Sequence, residues 1–221
     1  MPFKPSENLP EQIAAYLSQR IISLEMKPGQ KIVETRLADE LGVSRSPLRE
    51  ALRILEKQKL VELTPRRGAR VSEITEETII WLADVLKEIL GLVAFRGVEN
   101  QDEGSFLNIE KALEKLRESA RTGDLEGYLE GSFQVAYHSC RSSKNKILED
   151  VVLYLWPITA RIEYAALIMQ KENLLENLKF FQEAMDAFTG RDAEEASRAI
   201  RGLVENDRDY ALKAFREGLF S

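Results

Sequence analysis

The stretch Leu41–Leu55, LGVSRSPLREALRIL, constrains this chain more than any other. A helical pattern beginning near Thr35 stops at Leu41, and Gly42 follows where helices commonly end in the left-handed conformation. Ser44 and Ser46 can each cap a new helix, with Pro47 in its first turn. Leu48, Ala51, Leu52 and Leu55 then recur at helical spacing and form one buried stripe. That stripe turns Arg45, Arg49 and Arg53 toward solvent on another side. Two short helices across a glycine turn, the second opening on hydroxyls and guanidinium groups, follow helix-turn-helix grammar.

The flanks extend the pattern. Ile13, Leu17, Ile21 and Leu24 predict a helix with Pro10 in its first turn, and Lys27–Gln30 reads as a tight turn. Downstream, LVELTPRRGARVSEI predicts two short strands around Pro65–Gly68, a basic hairpin able to reach a DNA backbone or minor groove. The start of a recognition helix enters the major groove, where arginine pairs bidentately with guanine. Serine hydroxyls and free N–H groups at a helix start suit phosphate oxygens. Double-stranded DNA is the partner this region predicts.

The net charge of −6 argues against that partner only when taken whole. Residues 1–74 hold 13 Lys/Arg against 10 Asp/Glu, whereas the remainder holds 18 against 27. Ser44–Arg70 alone carries eight basic and three acidic residues. Such asymmetry predicts a nucleic-acid-binding module joined to a different kind of domain.

Residues 75–221 show only helical periodicity, with helices expected near 75–99, 102–121, 124–142, 145–169, 172–189 and 192–218. Thr75–Glu77, Asp124 and Asp192 are helix starts, and Pro157 is expected to kink or break the fourth helix. The fold predicted is mainly α: a winged helix-turn-helix domain over 1–74, then an all-α antiparallel bundle over 75–221 that can hold a ligand between facing helices. The single cysteine, Cys140, leaves no internal disulfide and fits a reducing cytoplasm. The N-terminus lacks a secretory apolar segment, and no uninterrupted apolar run approaches the roughly 20 residues of a membrane helix, so no membrane partner is expected.

The run KPGQKIVETRLADELGVSRSPLREALRILEKQKLVELTPRRGARV, Lys27–Val71, resembles the GntR family of bacterial transcription regulators. The resemblance places DNA contacts on Ser44, Arg45, Ser46 and Arg49, and on Arg67 and Gly68 at the wing tip. Arg36 lies near another contact position, for which Thr35 is the alternative. The second half resembles the FadR-type branch, with its C-terminal FCD domain, through YHSCRSSKNKILEDVVLYL and AFTGRDAEEASRAI. Many FCD domains hold a divalent metal, and through it a carboxylate effector, with one Asp and three His. Here those positions fall on Gln134, His138, Phe181 and Leu203, and His138 is the only histidine. One imidazole, an amide and two apolar groups make no ordinary transition-metal site. No metal and no other cofactor are therefore expected, unless Glu130, Glu183 or Asp207 rebuilds the site.

Without a metal, Gln134 and His138, one helical turn apart, are expected to face the cavity and hydrogen-bond an effector. Arg161 is expected to offer a fork to an anionic group, with Arg96 as second choice. The effector class is an organic acid or a more apolar ligand. Some metal-free members bind acyl-CoA, but no residue here reads a CoA nucleotide. An enzyme would need a nucleophile–base pair, a carboxylate pair in a cleft or a metal. Ser139 and Cys140 adjoin His138, but neighbours on a helix point in different directions. The expected function is a cytoplasmic, homodimeric transcription regulator, a repressor responsive to a small molecule. A constitutive DNA binder whose bundle only dimerises stays open.

Overall fold

A computed structural model describes residues 8–64 and 68–220. It divides into two compact units, one running to Ile74 with Phe220 grouped with it, the other Thr75–Leu219.

The first unit contains α1 (Leu9–Ile22), β1 (Lys31–Ile32), α2 (Glu34–Leu41), α3 (Arg45–Lys57), β2 (Val61–Thr64) and β3 (Gly68–Val71). Its core is built from Leu17 and Ile21 of α1 and Leu48, Ala51, Leu52 and Leu55 of α3, all at most 1% exposed. Gly42 ends α2 at φ +64°, a conformation that penalises any side chain with a Cβ. The first helix stops at Ile22, and the Met26 N–H returns to the Arg20 carbonyl at 2.9 Å, so Leu24 leaves the stripe expected of it. The antiparallel sheet has the order β1-β3-β2, pairing Lys31 with Arg70 and Thr64 with Gly68. The sequence predicts the hairpin but not β1, whose two residues carry no alternation to read.

The second unit is helical: α4 (Glu76–Glu99), α5 (Glu103–Thr122), α6 (Leu125–Ser142), α7 (Lys146–Gln170), α8 (Leu174–Gly190) and α9 (Ala193–Arg216), with a 3₁₀ turn at Lys171–Asn173. Side-chain caps start three of these helices where expected. Thr75 accepts from the Thr78 N–H, Asp124 from Gly127 and Asp192 from Glu195. Asp102 and Ser105 add a reciprocal capping box. Leu113 and Leu116 of α5, Tyr128 of α6, Leu167 of α7 and Phe181 and Phe188 of α8 share one core. Tyr128 Oη donates to Asn177 Oδ1 at 2.7 Å, so burial leaves the phenol satisfied.

The break expected at Pro157 is corrected. Pro157 does not break the fourth helix, since α7 runs unbroken from Lys146 to Gln170. Proline removes one N–H, and the surrounding bundle outweighs that local loss. Lys146–Gly190 also contains an 18-residue window of mean hydropathy 1.4, apolar and long enough by composition to cross a membrane. The window draws on α7, which contributes Ala160, Ile162, Ala165, Ala166 and Leu167 to the buried interior.

Candidate functional site

The first candidate surface is the start of α3. Ser44 occupies its N-cap in extended conformation, φ −75° and ψ 161°, yet makes no side-chain capping bond. Its hydroxyl and the unpaired N–H groups of the first turn are thus available to a phosphate oxygen. Ser44, Arg45, Ser46 and Arg49 are all exposed, because Leu48, Ala51 and Leu52 turn another side of the helix into the core. Gly68 is exposed at the start of β3 with φ +89°, which fits a glycine at a wing tip. Arg67, with Pro65 and Arg66, lies outside the described residues. Arg36 is exposed but borders a separate hollow with Arg20, Lys31 and Glu40, two positions round α2 from Glu34.

Glu34 was not legible as part of this surface. Its carboxylate accepts Arg49 Nε at 2.7 Å and lies 3.6 Å from Arg45 Nη2, while both arginine side chains stay 56% exposed. One carboxylate therefore orients two guanidinium groups and competes with phosphate for them. Glu34→Gln is expected to raise affinity for random-sequence duplex about two- to fivefold, the range of an exposed ion pair. It should also narrow the ratio of specific to random binding. Fluorescence anisotropy on both duplexes checks this, and an unchanged ratio would count against the orienting role.

The second candidate is a cavity of about 120 Å³ inside the bundle, of the order that holds a benzene-sized molecule. Leu82, Leu86 and Leu90 of α4, Val135 of α6, Trp156 of α7, Phe181 of α8 and Leu203 of α9 make its walls apolar. Its polar lining includes Ser132, which meets Glu163, and Asp207, whose charge acts on Glu163, with Ser139, Thr159 and Arg208 also on the wall. Ser132 Oγ lies 2.5 Å from Glu163 Oε1 and 2.9 Å from the Leu129 carbonyl. The Ser132 hydroxyl thus has two acceptors, the Glu163 carboxylate and the Leu129 carbonyl, for its one proton. Burial and the neighbouring Asp207 charge push Glu163 up, against the Ser132 hydrogen bond. Burial also raises Asp207, opposed by hydrogen bonds from Gln170, Asn177 and Asn206.

The side chains expected to read an effector sit elsewhere. Gln134 donates to Glu130 Oε1 at 2.7 Å, and His138 packs edge-on against Tyr137. Neither lines the cavity, where α6 instead presents Ser132, Val135, Ala136 and Ser139. The physical reason is helical phase, since one step round a helix turns a side chain by about 100°. Burial, then the Arg141 charge, lowers the His138 pKa. Arg161 is 1% exposed and not part of the cavity lining, and burial pushes its pKa down to about 10. Arg96 is paired with Glu99.

The positions where many FCD domains ligate a metal do not fit one here. Phe181 and Leu203 line the cavity with carbon, while Gln134 and His138 stay off its wall. Among the described residues no three His, Cys, Asp or Glu side chains converge to hold a metal ion. Cys140 is buried with its thiol pushed up to about 12 by burial and then by Glu149, so it is no activated nucleophile.

Residues 9–71 match "Bacterial regulatory proteins, gntR family", and residues 82–206 match the "FCD domain". The chain belongs to the GntR family. Within it, this GntR-family protein is 31% identical over 209 residues to the gluconate operon transcriptional repressor of Bacillus licheniformis, spanning 93% of this chain and 80% of that one. It is 23% identical over 186 residues to the regulator McbR of Escherichia coli (strain K12), covering 82% and 83%. The solved structure of E. coli McbR/YncC has the same fold, with a TM-score of 0.78 at 20% identity over 94% of this chain and 98% of that one. A GntR regulator structure from Rhodococcus sp. RHA1 gives a TM-score of 0.74 at 22% identity, over 92% and 97%. The GntR-family chain is accordingly a DNA-binding transcription regulator and not an enzyme.

Proposed function

We propose that this GntR-family regulator is a cytoplasmic repressor that binds a two-fold operator as a homodimer and responds to a small molecule held in the bundle cavity. The observation that carries it is one chain joining an exposed Ser44–Arg45–Ser46–Arg49 surface to a mainly apolar cavity with a few polar groups on its wall. Operator contacts are assigned to those four residues, with Arg67 and Gly68 on the wing. Repression is supported by the relative's role as a repressor in Bacillus licheniformis. An effector would act by binding two arrangements of the dimer unequally, since equal affinity shifts nothing.

Dimerisation is supported by a bare apolar stripe on α4. Trp81, Val85 and Leu92 fall within about 40° of one another round the helix, and Trp81 is 67% exposed. Trp81→Asp is expected to convert a dimer into a monomer at micromolar concentration, read by sedimentation velocity, and to weaken operator binding with it. A variant that stays dimeric would move the interface elsewhere.

The test of the function is selection of bound duplexes from a random pool by the full chain, followed by titration of the winner at several salt concentrations. An enriched inverted repeat is expected, with affinity falling steeply with salt as phosphate contacts release counterions. No enrichment, or a flat salt response, would overturn the reading. Enrichment that no small molecule alters would favour the constitutive alternative.

A further inference from the structure

The polar groups on the cavity wall carry more chemistry than an apolar effector needs. Two carboxyl groups, Glu163 from α7 and Asp207 from α9, both lie on the wall of one mainly apolar pocket. Their hydrogen bonds are lopsided. Gln170, Asn177 and Asn206 all donate to Asp207 Oδ1, at 3.2, 2.6 and 3.4 Å, and Ser132 meets only Glu163 Oε1. Asp207 Oδ2 and Glu163 Oε2 accept no hydrogen bond from the described residues. The cation on the lining, Arg208, is held by its neighbour Asp209 at 2.8 Å. The wall around these two oxygens is largely hydrocarbon, where a donor that reaches them gains more than it would in water.

We propose that the cavity binds an organic cation, a protonated primary amine on a small apolar body, with the ammonium seated between Glu163 and Asp207 and the body against Leu86, Val135, Trp156 and Phe181. An ammonium brings three donors and one positive charge, which suits two open carboxylate oxygens and the charge they lack. The apolar walls supply area burial for a chain or ring of about benzene size. A carboxylate would instead enter beside two acids whose only lining counter-cation is already paired. The organic-acid class expected from the resemblance, which rests there on a bound metal, is therefore replaced. This inference rests on the effector cavity of the proposed function.

The experiment uses the full chain with n-hexylammonium chloride, 1-hexanol, sodium hexanoate and sodium gluconate at matched ionic strength, pH 7.5. Saturation-transfer NMR measures binding, and anisotropy measures affinity for the selected duplex. Hexylammonium is expected to bind at least tenfold more tightly than hexanol and the two anions. Glu163→Gln and Asp207→Asn are expected to remove that preference while hexanol binding persists, and far-ultraviolet melting curves establish that each variant is folded. Should a variant not fold, the wild-type ranking of the four probes decides alone. Equal binding of all four, or preference for an anion, would overturn the cation and leave the effector cavity standing. Binding of none of them would overturn both. Tight hexylammonium binding that leaves duplex affinity unchanged would sustain the cation site and sink the effector reading.

Discussion

Arg45→Ala and Arg49→Ala are each expected to weaken binding to the selected operator by about 5- to 150-fold, equivalent to about 1–3 kcal/mol, while random-sequence affinity falls far less. The expectation follows from position. Both guanidinium groups project from the first turns of α3, more than half exposed, on the flank of the Leu48–Leu52 core stripe. A fork that pairs with guanine O6 and N7 is lost whole on truncation to alanine, because the base edge keeps its acceptors and gains no partner. Each substitution also removes one of the two ion pairs on Glu34, which offsets part of the loss. The double variant is expected to fall short of the summed losses, since both arginines share that carboxylate. Competition titrations against operator and scrambled duplex provide the check. Equal losses on both would make the arginines phosphate contacts, and no loss would remove α3 from the interface.

The second large effect concerns stability. Leu48→Ala is expected to cost about 2–5 kcal/mol, because Leu48 is fully buried and close-packed helices collapse only partly round a lost side chain. Small domains are stable by only about 5–15 kcal/mol, so the change threatens the first unit outright. The two units can be followed separately. Trp81 and Trp156 both lie in Thr75–Leu219, so their fluorescence reports the bundle, while circular dichroism sees both units. In urea, Leu48→Ala should move an early dichroism transition and leave the tryptophan transition in place. Arg53→Ala on the exposed side of the same helix should stay within about 0.5 kcal/mol of wild type. A cost below about 1 kcal/mol at Leu48 would mean that α3 is not packed as described.

Much of this was legible from residue order alone. Periodicity marked the α3 core stripe, and Gly42 marked the end of α2, because both depend on interactions within a few residues. Caps at Thr75, Asp124 and Asp192 were legible for the same reason. The site in the bundle was not. Gln134 and His138 are polar and one turn apart, yet spacing fixes only which side chains share a face, not which face meets the cavity. Packing of α6 against α4, α5 and α7 chose the face of Ser132, Val135 and Ser139. Arg161 stands in a run of ordinary composition, and nothing local says that its charge is buried. Glu34 lies 11 and 15 positions from the arginines it holds, across a turn whose angle no propensity supplies.

By itself, then, the order of residues determined what hydrogen bonds and sterics settle over a few positions: helices, caps, the glycine turn and an arginine-bearing recognition helix. It also carried the expectation, through carbon in place of ligand atoms at Phe181 and Leu203, that these positions do not build an ordinary metal site. Only the tertiary structure decided that Glu163 and Asp207, 44 positions apart, open onto one apolar cavity. That meeting depends on how α7 and α9 pack, a choice made by the whole core rather than by either helix.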